Sequence, residues 1–210
     1  MAKQAQRRFR VGLLGESPND TKAIEALLKP RYGRQAEFFT LLRNVNGDML
    51  EDAETFRNLR KEYEWEKPNL VVVIRDLDGV QTRGAKWRQR KKYFRNVDAV
   101  VEQKSLPLLN IYEIEALICA DISAFNKKFG CACPQPADPM AIIEPKEWLK
   151  NATAPGQPTY SVGHCTHLLG QVRYEAVLAN CRYFAAFDKA FAARLPPLSL
   201  LKVAPASPPA

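Results

Sequence analysis

The 210-residue sequence predicts an α/β fold, a mostly parallel four-stranded sheet flanked by helices with a helical C-terminal extension. Three observations predict it. The run Asn69-Leu70-Val71-Val72-Val73-Ile74 has no polar alternation, as in a strand buried on both faces of a parallel sheet. Helical periodicity with surface charge follows each apolar run. Strand and helix patterns alternate as βαβαβαβα from residue 9 to residue 130, and such an order needs crossover connections in an open sheet.

Each element has its own local cause. "FRVGLL" (9–14) reads as a short buried strand ending at Gly15. Ser17-Pro18-Asn19-Asp20 is a helix start, with Ser17 as N-cap, Pro18 at the first helical position and Asp20 placed for a capping box. Ala23, Ile24, Leu27 and Leu28 give that helix an apolar face, and Pro30 is expected to stop it. "AEFFTLLR" (36–43) is the second strand. Residues 52–65 form a charged helix with Phe56, Leu59 and Tyr63 facing inward, and Pro68 breaks the chain before the third strand. A helix from Gly84 to about Gln103, the strand "LPLLNIY" and the helical stretch "EIEALICADISAFNKKFG" complete a domain spanning 9–130.

Beyond residue 130 the texture changes. Prolines at 134, 136, 139, 145, 155 and 158 mark 131–160 as an extended connection, interrupted by a helical turn near "KEWLKNA". Apolar residues from Leu168 to Phe191 return to helical spacing, so 161–197 reads as a helical extension packed on the domain. Residues 198–210 read as a flexible tail.

Composition narrows the class of function. The formal charge of +8 and a sequence pI near 9.3 suit an anionic partner. Five cysteines, an odd number spread along the chain, do not form a disulfide framework and fit a reducing compartment. The basic N-terminus leads into no long apolar run, and no stretch approaches the ~18 apolar residues of a membrane span. A cytoplasmic protein without a membrane partner is expected.

In a parallel α/β sheet, ligands collect beyond the carboxyl ends of the strands where strand order reverses. Three such ends carry acids: Glu16 after the first strand, Asp76 and Asp78 after the third, Glu113 and Glu115 after the fourth. If 76–78 stays extended, the Asp76 and Asp78 side chains share one side with Cα atoms ~6.6 Å apart, within reach of one divalent cation or two. Mg²⁺ takes hard oxygen ligands and keeps several waters, so a few carboxylates and a substrate phosphate suffice to hold it. Each acid also has a plainer role. Asp76-Leu77-Asp78-Gly79 suits a turn, Asp20 suits a cap, and Glu113 and Glu115 suit a helix N-terminus.

Gly15-Glu16 with Asp20, then Asp76-Leu77-Asp78, in a four-stranded α/β unit resembles the Toprim family, within its Rossmann-like class of sheets. The resemblance is nearest to small stand-alone Toprim-like proteins and to anti-phage nucleases of the overcoming-lysogenisation-defect type. "IYEIEALICAD" resembles the Glu-x-Glu-Ala segment of those small proteins. The likeness covers 9–125 well and the remainder loosely. It implies Mg²⁺ or Mn²⁺ binding and hydrolysis of phosphodiesters in DNA or RNA. Glu16 would be the catalytic acid or base as well as a ligand, Asp76 and Asp78 metal ligands, and Glu113 or Glu115 a further ligand. It also implies a place in an anti-phage defence system, with a separate ATPase or sensor protein as partner. Two features depart from the pattern: the turn reads Gly15 then Glu16 rather than Glu then Gly, and no GxxxxGK[ST] phosphate loop is present.

"RGAKWRQRKKYFR" carries seven Lys or Arg in residues 83–95. With Trp87, Phe94, Val97 and Val101 toward the core, Arg88, Lys92 and Arg95 lie on one exposed side and Lys86 with Arg90 on another. Together with Arg83 they form a candidate phosphate-binding face beside the acids, sequence-independent and salt-sensitive; the plain alternative is a solvated helix face. Cys131-Ala132-Cys133 and His164-Cys165-Thr166-His167 carry zinc-type ligands, but C-x-C and H-x-x-H fall outside the usual spacings, so packing or a substrate-facing histidine is the better reading. Cys119 and Cys181 read as buried core residues. Besides a metal-dependent nuclease, the sequence is compatible with a non-catalytic nucleic-acid- or protein-binding regulator and with a phosphoryl-transfer enzyme on small substrates. The last leaves the basic helix unexplained.

Overall fold

The computed structural model describes residues 8–47, 49–79, 84–153 and 158–197. Arg83, Pro155 and the predicted tail lie outside them. Four parallel strands, β1 (Phe9–Leu14), β2 (Ala36–Thr40), β3 (Leu70–Asp76) and β4 (Ser105–Asn110), form one sheet in the order β2-β1-β3-β4. The crossovers are α1 (Pro18–Tyr32), α2 (Ala53–Glu66) and α3 (Ala85–Val100). The chain steps outward from β1 to β2 and then returns to the other side of β1, so the order reverses between β1 and β3. The crevice at that reversal opens at the carboxyl ends, where Glu16 and Asp76 stand.

Strand alternation sorts the core into two layers. Val11, Leu13, Val72, Ile74, Leu106 and Leu108 face one layer with α1 and the C-terminal helices. Leu14, Val71 and Val73 face the other, against Leu59, Tyr63, Tyr93, Phe94 and Val97 of α2 and α3. At the end of β3 the same alternation sends Arg75 toward α3 and Asp76 toward α1. Each of the two charged residues therefore reaches a different side of the sheet.

The helical part of the chain is more broken than its periodicity predicts. The stretch after β4 is two helices, α4 (Ala116–Cys119) and α5 (Ser123–Phe129), joined through tight i to i−3 bonds such as Ile118 N–H to Glu115 C=O and Asp121 N–H to Ile118 C=O. The proline-rich stretch holds a 3₁₀ turn at Pro139–Ala141 and α6 (Pro145–Ala152), close to where "KEWLKNA" places a helical turn. Residues 161–197 form a 3₁₀ turn (Val162–His164), α7 (Cys165–Leu169), α8 (Tyr174–Asn180) and α9 (Arg182–Ala192). A break falls at 170–173 because the Arg173 N–H turns to donate to Asp121 Oδ2 at 2.7 Å. α7 packs on α1 and α9 on β4, and their buried residues join one cluster with the sheet.

Two boundaries differ for identifiable reasons. Pro30 does not stop α1, which runs two residues further to Tyr32. The proline is exposed, while Tyr32 is buried against Phe191 at 5.0 Å between ring centroids and donates to Asp188. Packing thus outweighs one lost backbone bond. β2 ends at Thr40 rather than 43, because Leu42 takes a left-handed conformation (φ 53°) and donates its N–H to Glu62 Oε2 at 2.9 Å.

Candidate active site at the carboxyl edge of the sheet

Glu16 leaves β1 at the reversal point and accepts the Asp76 N–H at 3.2 Å through Oε1. The same oxygen lies 2.9 Å from Arg75 Nε. That contact is an ion pair without hydrogen-bond alignment: Nε and Nη1 of Arg75 have no hydrogen-bond partner among the described residues. The guanidinium, 3% exposed, is sandwiched against the Tyr93 ring at 4.7 Å. The loop after β2 closes over Glu16, and a Cβ on Gly47 would stand 2.9 Å from Glu16 Oε2, so glycine is what lets that backbone approach the carboxylate.

Asp76, on the opposite side of the strand from Arg75, receives one hydrogen bond from Asn110 Nδ2 at 2.9 Å. Burial pushes its carboxyl well above the usual range, and the charges of Glu16, Asp20 and Glu115 push it further. Asp20 does form the capping box that the sequence indicates: its N–H reaches Ser17 Oγ at 3.3 Å and its Oδ2 accepts the Ser17 N–H at 2.9 Å. Burial nevertheless raises it to about 6, with Glu16 adding repulsion and the bonds to Ser17 opposing. Glu115 is 4% exposed and accepts from the Tyr160 hydroxyl at 3.1 Å. It too is raised, by burial first and by Glu113 among its charged neighbours. The buried Cys165 thiol is raised by burial and then by the charges of Glu115, Asp20 and Asp76, which places it among the same acids.

The other predicted acids are not part of this group. The condition for Asp76 and Asp78 to share a side is not met: β3 ends at Asp76, and Asp78 adopts φ 52°. Its carboxylate turns to α3, where Oδ2 lies 3.1 Å from Arg90 Nη2 and 3.7 Å from Lys86 Nζ. Glu113 accepts from Lys146 Nζ at 2.9 Å and from the Lys146 N–H at 3.1 Å. Glu115 is therefore the member of its pair that meets the cluster.

The basic helix is also divided. Arg90 is not on an exposed side: it is 8% exposed, donates from Nε to the Asp76 carbonyl at 2.8 Å and lies 3.5 Å from Glu51. Lys86, Arg88, Lys92 and Arg95 are exposed. Cys131 Sγ donates to the carbonyls of Phe129 and Ala152, and His164 Nδ1 accepts the Ser161 N–H at 3.0 Å with its ring edge-on to Phe129. Those residues cap and pack local turns. Cys119 and Cys181 are buried, as their helix faces indicate.

Arg75, Asn110, Tyr160, Cys165 and the acidic side of Asp20 are additions that sequence reasoning missed. Only Arg75 left a signal, as a charged residue directly after a buried β-branched run.

The donor set is chemically suited to a hard divalent cation: carboxylate oxygens in a partly desolvated, negatively charged crevice. Among the described residues no three His, Cys, Asp or Glu side chains converge into a ready cage; Glu16 leans instead on Arg75. Comparison with protein-family models, with curated proteins and with solved structures gave no match. Among the described residues no helix is long and apolar enough to cross a membrane.

Proposed function

We propose that this protein is a Mg²⁺- or Mn²⁺-dependent nuclease of Toprim type, hydrolysing phosphodiesters in DNA or RNA, and that it serves as an effector of anti-phage defence. One observation carries the reading: Glu16, Asp20, Asp76 and Glu115, from three segments of the chain, act on one another electrostatically at the point where strand order reverses, and burial with acidic neighbours raises Asp76 and Asp20. Like charges crowded in a crevice are costly without a counter-ion, and perturbed carboxyls in a cleft mark functional sites.

Asp76 and Glu115, with Asp20 beside them, would hold the cation, which supplies Lewis acidity and a more acidic bound water. Glu16, reached by both the Asp76 N–H and Arg75, would accept a proton from the attacking water. Arg75 fixes that carboxylate, and Gly47 shields its outer oxygen. Asn110 orients Asp76.

Hydrolysis of labelled DNA and RNA with Mg²⁺ or Mn²⁺ tests the proposal. Asp76→Asn and Glu16→Gln should each lower the rate by at least about 100-fold, the scale of losing a transition-state electrostatic contact; activity that survives Asp76→Asn contradicts it. A second reading, a non-catalytic nucleic-acid-binding regulator, is favoured by the cation partners already engaging Glu16, Asp78 and Glu113. It predicts salt-sensitive binding with no turnover under any metal.

A further inference from the structure

We propose that the groove between α3 and α9 binds unpaired nucleotides, and so that the nucleic acid taken by this protein is single-stranded along that path. The inference rests on the nucleic-acid reading above but not on hydrolysis. The groove encloses about 460 Å³. Trp87 and Phe94 come from α3, Tyr183 and Phe187 from α9, and β4 lies between the two helices. Its charged lining is wholly cationic: Lys91 and Arg95, with no acid among its described lining residues. Lys91 Nζ stands 5.6 Å from the Trp87 ring centroid and the Arg182 guanidinium 5.1 Å from that of Tyr183. Trp87 and Tyr183, the two half-buried rings of the groove, therefore each have a cation beside them, while Phe94 and Phe187 lie buried beneath.

An apolar slot edged by cations could receive an extended peptide, but the β4 edge is closed to strand addition. Lys104 and Asn110 turn their carbonyls to β3, so residues 105, 107 and 109 face outward. The Ser105 N–H is taken by Asp98 at 3.1 Å, and Pro107 has no N–H. That leaves recognition to side chains. Aromatic faces with flanking Lys and Arg are the means by which proteins hold single strands, bases stacking on rings while phosphates meet the cations. A duplex keeps its base faces inside and cannot use such a slot. The groove runs along α3 toward the paired side of the carboxyl edge: Trp87 adjoins Lys86, which lies 3.7 Å from Asp78, and Lys91 follows one helical turn later.

The test is fluorescence anisotropy in chelator, using a labelled single strand of about twelve nucleotides, within the range one such site covers, and its duplex. Single strand should bind at least about tenfold tighter than duplex, as stacking of even one base would give. Ala186→Glu, an exposed groove position one turn from Tyr183, should weaken single-strand binding about tenfold with an unchanged melting temperature. Trp87→Phe, which keeps a stacking ring, should lose far less. Equal affinity for both forms, or unaltered binding in Ala186→Glu, overturns the proposal, as does an acidic helical peptide that binds the groove where the oligonucleotide does not. Parallel cleavage assays separate the two readings. A protein that binds through Ala186 and Trp87 but cleaves nothing overturns the nuclease alone, whereas cleavage with binding indifferent to Ala186→Glu overturns the groove alone.

Discussion

The two sides of the sheet's carboxyl edge handle negative charge in opposite ways. Toward α3, Glu16 meets Arg75, and Asp78 and Glu51 meet Arg90, each acid with a cation within 3.5 Å. Toward α1 and α7, Asp76 feels the charges of Asp20 and Glu115, and the three carboxyls have Asn110, Ser17 and Tyr160 as neutral hydrogen-bond partners. The charged neighbours that act most strongly on the Asp76 carboxyl, Glu16, Asp20 and Glu115, are acids. The first side is a finished electrostatic structure that a metal would have to disrupt; on the second, Lys146 acts on Glu115, but Asp76 and Asp20 have no cation among the neighbours that act most on them. Asp121 shows what a finished buried acid looks like: fully buried, it takes the Arg173 N–H and guanidinium and the Ser123 hydroxyl, and is held down to about 2.

If that contrast is right, the largest stability loss comes from a compensated acid. Asp121→Ala strands the Arg173 N–H at the joint between α4 and α8, and should cost about 2–3 kcal/mol in urea unfolding. Asp76→Asn should cost nothing in chelator, or raise the midpoint, because it removes a buried like charge.

The pH dependence of stability in chelator separates the sides as well. A carboxyl whose folded pKa lies above its unfolded value holds its proton more readily in the folded protein, so its contribution is full below the unfolded value and is lost as pH rises through the folded one. For Asp20 that window runs from the ordinary 3.8 to about 6. Stability should fall by about 3 kcal/mol across it, and Asp20→Asn should flatten the fall. Asp121 acts in the reverse sense, stabilising above its ordinary 3.8 and losing that as pH drops toward about 2. On the paired side, Arg90→Ala should cost about 1–2 kcal/mol by leaving Asp78 and Glu51 without their buried partner. Lys86→Ala, at an exposed pair, should stay within about 0.5 kcal/mol. Chemical unfolding of both variants checks the order.

The sheet was legible because its determinants are local. The β-branched run of β3, the Ser17-Pro18-Asp20 start of α1 and the alternation of elements each act over a few residues, and the structure carries the four parallel strands they indicate. That acids stand at the carboxyl ends of the strands followed from the strand boundaries alone. Which acids gather did not, because that depends on side-chain direction after a strand ends. Asp78 was lost to a left-handed turn and to Arg90, whose burial the charge run concealed. Asp20 was read correctly as a cap, yet a cap can be buried too. Tyr160, the last residue of the proline-rich connection, and Cys165 beyond it reach the site through tertiary contacts with no sequence spacing to announce them. Helix ends failed similarly: Pro30 is tolerated for the sake of Tyr32, whose partners Phe191 and Asp188 lie far along the chain.

Calorimetric titration with Mn²⁺ at neutral pH, on the wild type, Asp76→Asn and Asp78→Asn, tests the uncompensated cluster most directly. The wild type should bind, Asp76→Asn should lose at least about tenfold in affinity, more than 1.4 kcal/mol, and Asp78→Asn should bind within a few-fold of wild type. Binding that is indifferent to Asp76 but abolished with Asp78 would place the cation on the arginine-paired side and contradict this account.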